Sequence, residues 1–155
     1  MIYYILAVLL TAIDQITKYI AVEKLNGGSS VEFIKGVINF TYVENRGVAF
    51  GMFQGMHYLF VPLGLIAAAL CVWYMHISLK KKQRFKVIAV AMIVSGAIGN
   101  IIDKIFRGFV VDFIDAVFID FPVFNFADIC ITVGAVVAAI CIMLEKDTEG
   151  VKSEE

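Results

Sequence analysis

Residues 58–102 read YLFVPLGLIAAALCVWYMHISLKKKQRFKVIAVAMIVSGAIGNII, and this stretch decides the fold. Two apolar runs flank a short basic insert. Tyr58–Leu79 contains no Asp, Glu, Lys or Arg, and Val87–Ile102 is sixteen uncharged residues that end at Asp103. A hydrocarbon core about 30 Å thick is crossed by a helix of about 20 mostly apolar residues, so each run predicts a transmembrane helix. The insert supplies Lys80, Lys81, Lys82, Arg84 and Lys86 with no acid among them. Such a cluster stays on the cytoplasmic side, which makes residues 80–86 a cytoplasmic turn.

Two further segments extend the pattern outward. Ile2–Ile20 opens with twelve uncharged residues, and Phe121–Leu144 holds one charge, Asp128. The expected architecture is an all-α membrane protein with spans at about 2–20, 58–79, 87–104 and 126–144, in one integral membrane domain over 1–155. Four spans place both termini in the cytoplasm, with a solvated, frayed tail over 145–155. Residues of about 23–56 and 105–125 then face the opposite side. The first span has no basic leader region and no A-x-A-like site after it, so it reads as an uncleaved anchor rather than a signal peptide.

Composition agrees. Of 155 residues, 61% are apolar and 17% charged, against about 45–50% and about 25% in a soluble domain. Thirteen basic and fourteen acidic residues leave a net charge of −1. With no basic stripe to displace phosphate counterions, nucleic acid is excluded as a partner. Cys71, Cys130 and Cys141 sit inside apolar runs and read as small buried hydrophobes. Residues 31–44 (VEFIKGVINFTYVE) are β-branched and aromatic, and predict two short strands turning near Lys35-Gly36. Gly47, Gly51 and Gly55 interrupt the stretch before the second span and argue against helix there. Pro122 limits Ile119–Phe124 to a short strand or extended loop.

Polar residues inside spans are costly and point to function. Sixteen steps separate Val87 from Asp103 and Asp128 from Leu144, roughly 24 Å each, and Asp14 lies roughly 18 Å from Ile2. Three helices thus bring an acid to a similar depth on the side away from the basic turn. Asp112 and Asp115 follow close behind. Asp14 and Lys18 are four apart and can pair on one helix face. Asn100 stands three residues before Asp103 and four before Lys104, and Asn125 three before Asp128. An Asn beside an acid orients a carboxylate without adding charge. A single acid here could be structural, Asp128 as a helix cap or Asp103 as a helix end at the water boundary. Convergence of the whole set favours a site.

Other chemistries find no support. His57 and His76 are roughly 28 Å apart along a helix, so they share no zinc, and HExxH is missing. No metal or cofactor is expected. G-x-S-x-G is also missing, and Ser95 lies roughly 12 Å from the level of Asp103. Paired aspartates remain. Two carboxyls that share one proton can hydrolyse a peptide through a bound water, one taking its proton and the other polarising the carbonyl. Which aspartate is base and which acid stays open.

The five blocks DQITK (14–18), NRGVAFG (45–51), GNIIDK (99–104), VVDFID (110–115) and FNFADICIT (124–132) occur in this order on a four-span chain. Together they resemble the lipoprotein signal peptidases, or signal peptidase II. The resemblance implies a bacterial inner-membrane aspartyl endopeptidase that cuts prolipoproteins just before a diacylglyceryl-modified cysteine. It implies catalytic roles for Asp112 and Asp128, and supporting or substrate-binding roles for Asp14, Asn45, Asn100, Asp103, Lys104 and Asn125. It also implies a small extracytoplasmic β-cradle and an outer loop over the site; a pocket that admits a helix plus lipid must open, so movement is expected around residues 105–125. Its partners would be the modified prolipoprotein and membrane lipid, and a single chain suffices. Two positions depart from the family pattern: Lys104 stands where Arg is usual, and Val48 where Ala is usual. Lys keeps the charge and loses the planar fork of Arg, a contact that Arg107 could replace.

Two other readings compete. A small proton- or cation-coupled transporter subunit would also carry intramembrane acids, but the cytoplasmic halves of spans two to four hold none. A scaffold packed through Gly96 and Gly99 leaves the converging acids without a purpose.

Overall fold

The structure, a computed structural model, describes residues 1–28, 30–47 and 57–152, the side chains of 57, 58 and 146–152 excepted. The expectations for Val48, Gly51 and Gly55 therefore lie outside the described residues. The elements run α1 (Ile2–Leu25), β1 (Ser30–Ile34), β2 (Ile38–Asn45), α2 (His57–Lys80), α3 (Arg84–Phe106), β3 (Val110–Asp115) and α4 (Phe126–Lys152). All four helices are long and apolar enough to cross a membrane. All four outrun the expected spans, α1 by about one turn and α4 as regular helix through Lys152, where a frayed tail was expected.

α3 is the central helix and packs against α1, α2 and α4. It is 56% buried over its apolar window, against 11–22% for the other three. Small residues allow this. A methyl group at Gly96 would lie 2.3 Å from the Ala127 carbonyl oxygen, and one at Gly134 would lie 2.6 Å from that of Ala89. Backbone meets backbone at both points, so α3 and α4 touch along their length. At one end of the bundle, Ala7, Met75, Val87, Val90, Ala91 and Val94 form an apolar cluster across α1, α2 and α3.

The turn between α2 and α3 takes three residues. Lys81 N–H and Lys82 N–H donate to the carbonyls of Ile77 and Leu79, at 3.1 and 3.0 Å, and Lys82 adopts a left-handed φ of 58°. Lys86 and Gln83 both donate to the Glu145 carboxylate, which ties the start of α3 to α4.

At the opposite end lies a three-stranded antiparallel sheet in the order β1-β2-β3. The β1–β2 hairpin turns at Gly36, φ 69°, as the sequence predicts. β3 was not foreseen: residues 110–115 were expected in an outer loop, and instead pair with β2, Asp112 opposite Val43 and Val110 opposite Asn45. The cause is their alternation. Val111 and Phe113 pack with Ala21 and Leu25 of α1, and side chains alternate across a strand, so Asp112 is turned the other way. Phe124 bridges to Ile114, consistent with an extended chain before α4.

Candidate active site

Asp112 is turned away from the α1 side of β3, and it meets the N-terminus of α4. Asn125 and Asp128 form a reciprocal cap there. Asp128 N–H donates to Asn125 Oδ1 at 3.0 Å, and Asn125 N–H donates to Asp128 Oδ2 at 3.1 Å. The arrangement satisfies two backbone donors at the helix start. Asn125 is thus the cap, with Asp128 its third-position partner, and the cap holds the Asp128 side chain close to Asp112.

Three asparagines connect the two acids by one rule. In each, the amide oxygen faces a group that can only donate, so the NH2 must face outward. Asn125 Oδ1 accepts from Asp128 N–H, and its Nδ2 donates to Asp112 Oδ1 at 2.6 Å. Asn45 Oδ1 accepts from Gly47 N–H at 3.0 Å, and its Nδ2 donates to Asp112 Oδ2 at 2.9 Å. Asn100 Oδ1 accepts from Lys18 Nζ at 2.8 Å, and its Nδ2 donates to Asp128 Oδ1 at 2.9 Å. Asn125 Nδ2 also reaches Asn100 Oδ1, at 3.2 Å. Each oxygen of both aspartates thereby accepts one hydrogen bond, and a carboxylate oxygen has two lone-pair sites. Among the described residues, one site per oxygen is left for a water or a proton.

Burial raises the Asp112 carboxyl, which is only 2% exposed. Burial and the neighbouring Asp128 charge push its pKa up to about 6, against the opposing pull of Asn45, Asn125 and Lys18. A carboxyl with that affinity holds or releases a proton close to neutral pH, as general acid–base chemistry requires.

Beneath the pair lies a buried ionic layer. Lys18 Nζ sits 3.0 Å from Asp14 Oδ2 and 3.2 Å from Asp103 Oδ2, and all three side chains are at most 1% exposed. Asp14 Oδ1 accepts Ala127 N–H at 3.0 Å, in the first turn of α4. Asp103 Oδ2 accepts Val111 N–H at 3.1 Å, in β3. The two acids of this layer therefore anchor the very elements that carry the two acids above. Gly99 makes room: a methyl group there would lie 2.3 Å from Asp14 Oδ2.

All eight residues singled out in the sequence occur in this region. Asp112, Asp128, Asn45, Asn100 and Asn125 form the upper network, and Asp14 and Asp103 the lower layer. Lys104 is half-buried and interacts electrostatically with both Asp112 and Asp128. Arg107 is engaged elsewhere, its Nε 3.2 Å from Asp103 Oδ1. Sequence reasoning missed the breadth of Lys18's role, since the i, i+4 spacing showed its pairing with Asp14 alone. It also missed Gln15, whose Nε2 donates to Asp14 and to the Gly99 carbonyl. Among the described residues, no three His, Cys, Asp or Glu side chains group as metal ligands.

Comparison with known proteins places the chain. A sequence model of signal peptidase II matches residues 6–144. The lipoprotein signal peptidase of Fusobacterium nucleatum subsp. nucleatum is 45% identical over 140 residues, covering 90% of this chain and 85% of that one. That of Clostridioides difficile (strain 630) is 36% identical over 143 residues, covering 92% and 95%. A solved bacterial membrane enzyme superposes with a TM-score of 0.83 at 36% identity, covering 96% of this chain and 90% of its own. With four helices able to span a bilayer and these relatives, this is a multi-pass bacterial membrane protein. The chain belongs to the signal peptidase II family.

Proposed function

We propose that this protein is an aspartic endopeptidase that removes signal peptides from prolipoproteins, cutting just before the diacylglyceryl-modified cysteine. The observation that carries this reading is the convergence of Asp112 and Asp128, from β3 and α4, on Asn125, whose side-chain NH2 donates to the Asp112 carboxylate and whose backbone N–H donates to that of Asp128.

In the proposed reaction a water sits between the two carboxyls, which hold one proton between them. The ionised carboxyl takes a proton from the water as its oxygen attacks the scissile carbonyl carbon. The protonated carboxyl donates to the carbonyl oxygen. Collapse of the tetrahedral adduct breaks the C–N bond. A proton passes to the leaving nitrogen, which becomes the free α-amine of the lipidated cysteine, and the pair returns to its single proton. The asparagines hold both carboxyls in place throughout, so little reorganisation accompanies the charge movement. Lys104 is proposed to contact substrate or offset the charge of the pair.

The basic turn at 80–86 lies in the cytoplasm in this reading, with both termini, and the site opens near the extracytoplasmic face. The sheet and outer segments form the cradle and cover. A substrate anchored by its apolar helix and acyl chains then presents its cleavage point at the depth of the pair. Acyl burial adds about 0.8 kcal/mol per CH2 to its binding. One chain carries every residue invoked. Transport is disfavoured because the buried acids Asp14, Asp103 and Asp112 gather with Lys18 at one end, while at the other the apolar cluster around Met75 and Val87 fills the core and the buried Lys86 is paired with Glu145.

The test is purified protein in detergent with a diacylglyceryl-modified prolipoprotein, the products identified by mass spectrometry. Cleavage immediately before the modified cysteine is expected. Cleavage elsewhere, or proton or cation flux in liposomes with no proteolysis, would overturn the proposal.

A further inference from the structure

Asn125 and Asn45 have their amide oxygens fixed by backbone N–H groups, which no side-chain change can remove. Asn100 differs. The strongest donor on its oxygen is the Lys18 ammonium, at 2.8 Å, fully buried and on another helix. The competing donor, Asn125 Nδ2, lies at 3.2 Å and makes its shorter bond, 2.6 Å, to Asp112. A lysine ammonium has three N–H donors and no acceptor. Here all three directions find acceptors: Asp14, Asp103 and Asn100. A charged donor on the amide oxygen also polarises the amide, which strengthens its NH2 as a donor toward Asp128.

From this chain of contacts we infer that Lys18 is a positioning residue for the aspartate pair, acting through the Asn100 amide to hold the Asp128 carboxylate ready for the reaction. The inference rests on the aspartic-peptidase reading above. It assigns Lys18 a task beyond that of a structural ion pair, because two carboxylates on one cation would lock the helices equally well without a third bond to an asparagine.

Among the described residues, the charged groups around this route are few. Lys18 faces Asp14 on α1 and Asp103 on α3, and Asp103 also meets Arg107. Asp112 on β3 interacts with Asp128 on α4, with Lys104 on α3 and with Lys18 itself. Loss of the Lys18 charge removes a cation that favours the ionised form of Asp112, so the Asp112 carboxyl moves to higher pH.

Two measurements test this. In the wild-type protein, labelled for NMR in micelles, the Lys18 15Nζ and the Asp112 and Asp128 13Cγ shifts are followed against pH. The inference predicts that the Lys18 signal moves with the midpoint of the pair. A Lys18 signal that ignores that transition overturns the inference, whether or not the protein is a peptidase. The second uses Lys18→Met alone, which removes the ammonium and with it the charged donor on the Asn100 amide. Turnover should fall tenfold or more with KM within threefold, and the acid limb of the pH–rate profile should rise by about half a pH unit or more. A profile at the wild-type position with turnover unchanged, or one scaled down only by the loss of folded protein, shows a purely structural lysine. If that variant does not fold, the wild-type titration alone decides. Absence of cleavage by the wild type counts against the peptidase reading instead.

Discussion

Asp112→Asn should make the protein relatively more stable as pH rises, and the size of the effect follows from burial. An ordinary Asp carboxyl has a pKa of 3.8, and in the folded protein that of Asp112 is pushed up to about 6. Between those values the folded chain holds a proton that the unfolded chain has lost. The contribution of this group to stability is therefore full below the unfolded value and is lost as pH rises through about 6. A shift of about two pH units corresponds to about 3 kcal/mol. The Asn variant has nothing to titrate there. It does bring a separate cost, since both Asp112 oxygens accept from Asn NH2 groups and an amide at 112 must turn its own NH2 toward one of them. That mismatch costs about 1–3 kcal/mol, but equally at every pH. Equilibrium unfolding in mixed micelles, followed by circular dichroism at pH 4 and pH 8, separates the two. The variant-minus-wild-type stability should rise by about 3 kcal/mol between these pH values. A difference that stays constant, or falls, would refute the view that Asp112 is a destabilised buried carboxyl.

Other predictions concern the frame around the pair. Gly96→Ala forces a methyl group against the Ala127 carbonyl, which as backbone cannot yield, so it should cost about 1–3 kcal/mol and slow cleavage by displacing Asp128; an unaltered melting profile would contradict this packing. Lys82→Gly should stabilise the protein by about 1 kcal/mol, because Lys82 holds a left-handed backbone that glycine adopts freely; thermal denaturation in detergent checks the sign. Asp14→Asn should cost about 3 kcal/mol, as expected for breaking a buried pair whose cation keeps Asp103. Its turnover per folded molecule should suffer less than its stability, and full stability with lost turnover would reverse that assignment.

Much of this arrangement was legible in the sequence because it is local or set by depth. The spans follow from apolar run length, and the hairpin from alternation around Gly36. The equal depth of Asp14, Asp103 and Asp128 follows from counting residues along each helix. Other features depend on contacts far apart in the chain. β3 needs β2 as its partner, and Asn45 meets Asp112 across 67 residues, so VVDFID read by itself looks like part of a loop. Lys18 shows the same limit: its spacing to Asp14 revealed one ion pair, while Asn100 and Asp103 reach it from α3. The N-terminal cap of α4 was half visible. Its i, i+3 pair was visible, and capping was one reading open for Asp128, whereas the cap is Asn125 and Asp128 answers it from the first turn.

The central claim is that Asp112 and Asp128 act as one catalytic unit on one water. It is tested most directly by single-turnover cleavage of a modified prolipoprotein by Asp112→Asn, Asp128→Asn and the double variant, each shown to be folded and inserted. The account predicts that each single variant loses about 10³-fold or more and that the double variant is no slower than the singles, as for groups that work as a unit. Either single variant turning over within tenfold of the wild type would contradict it.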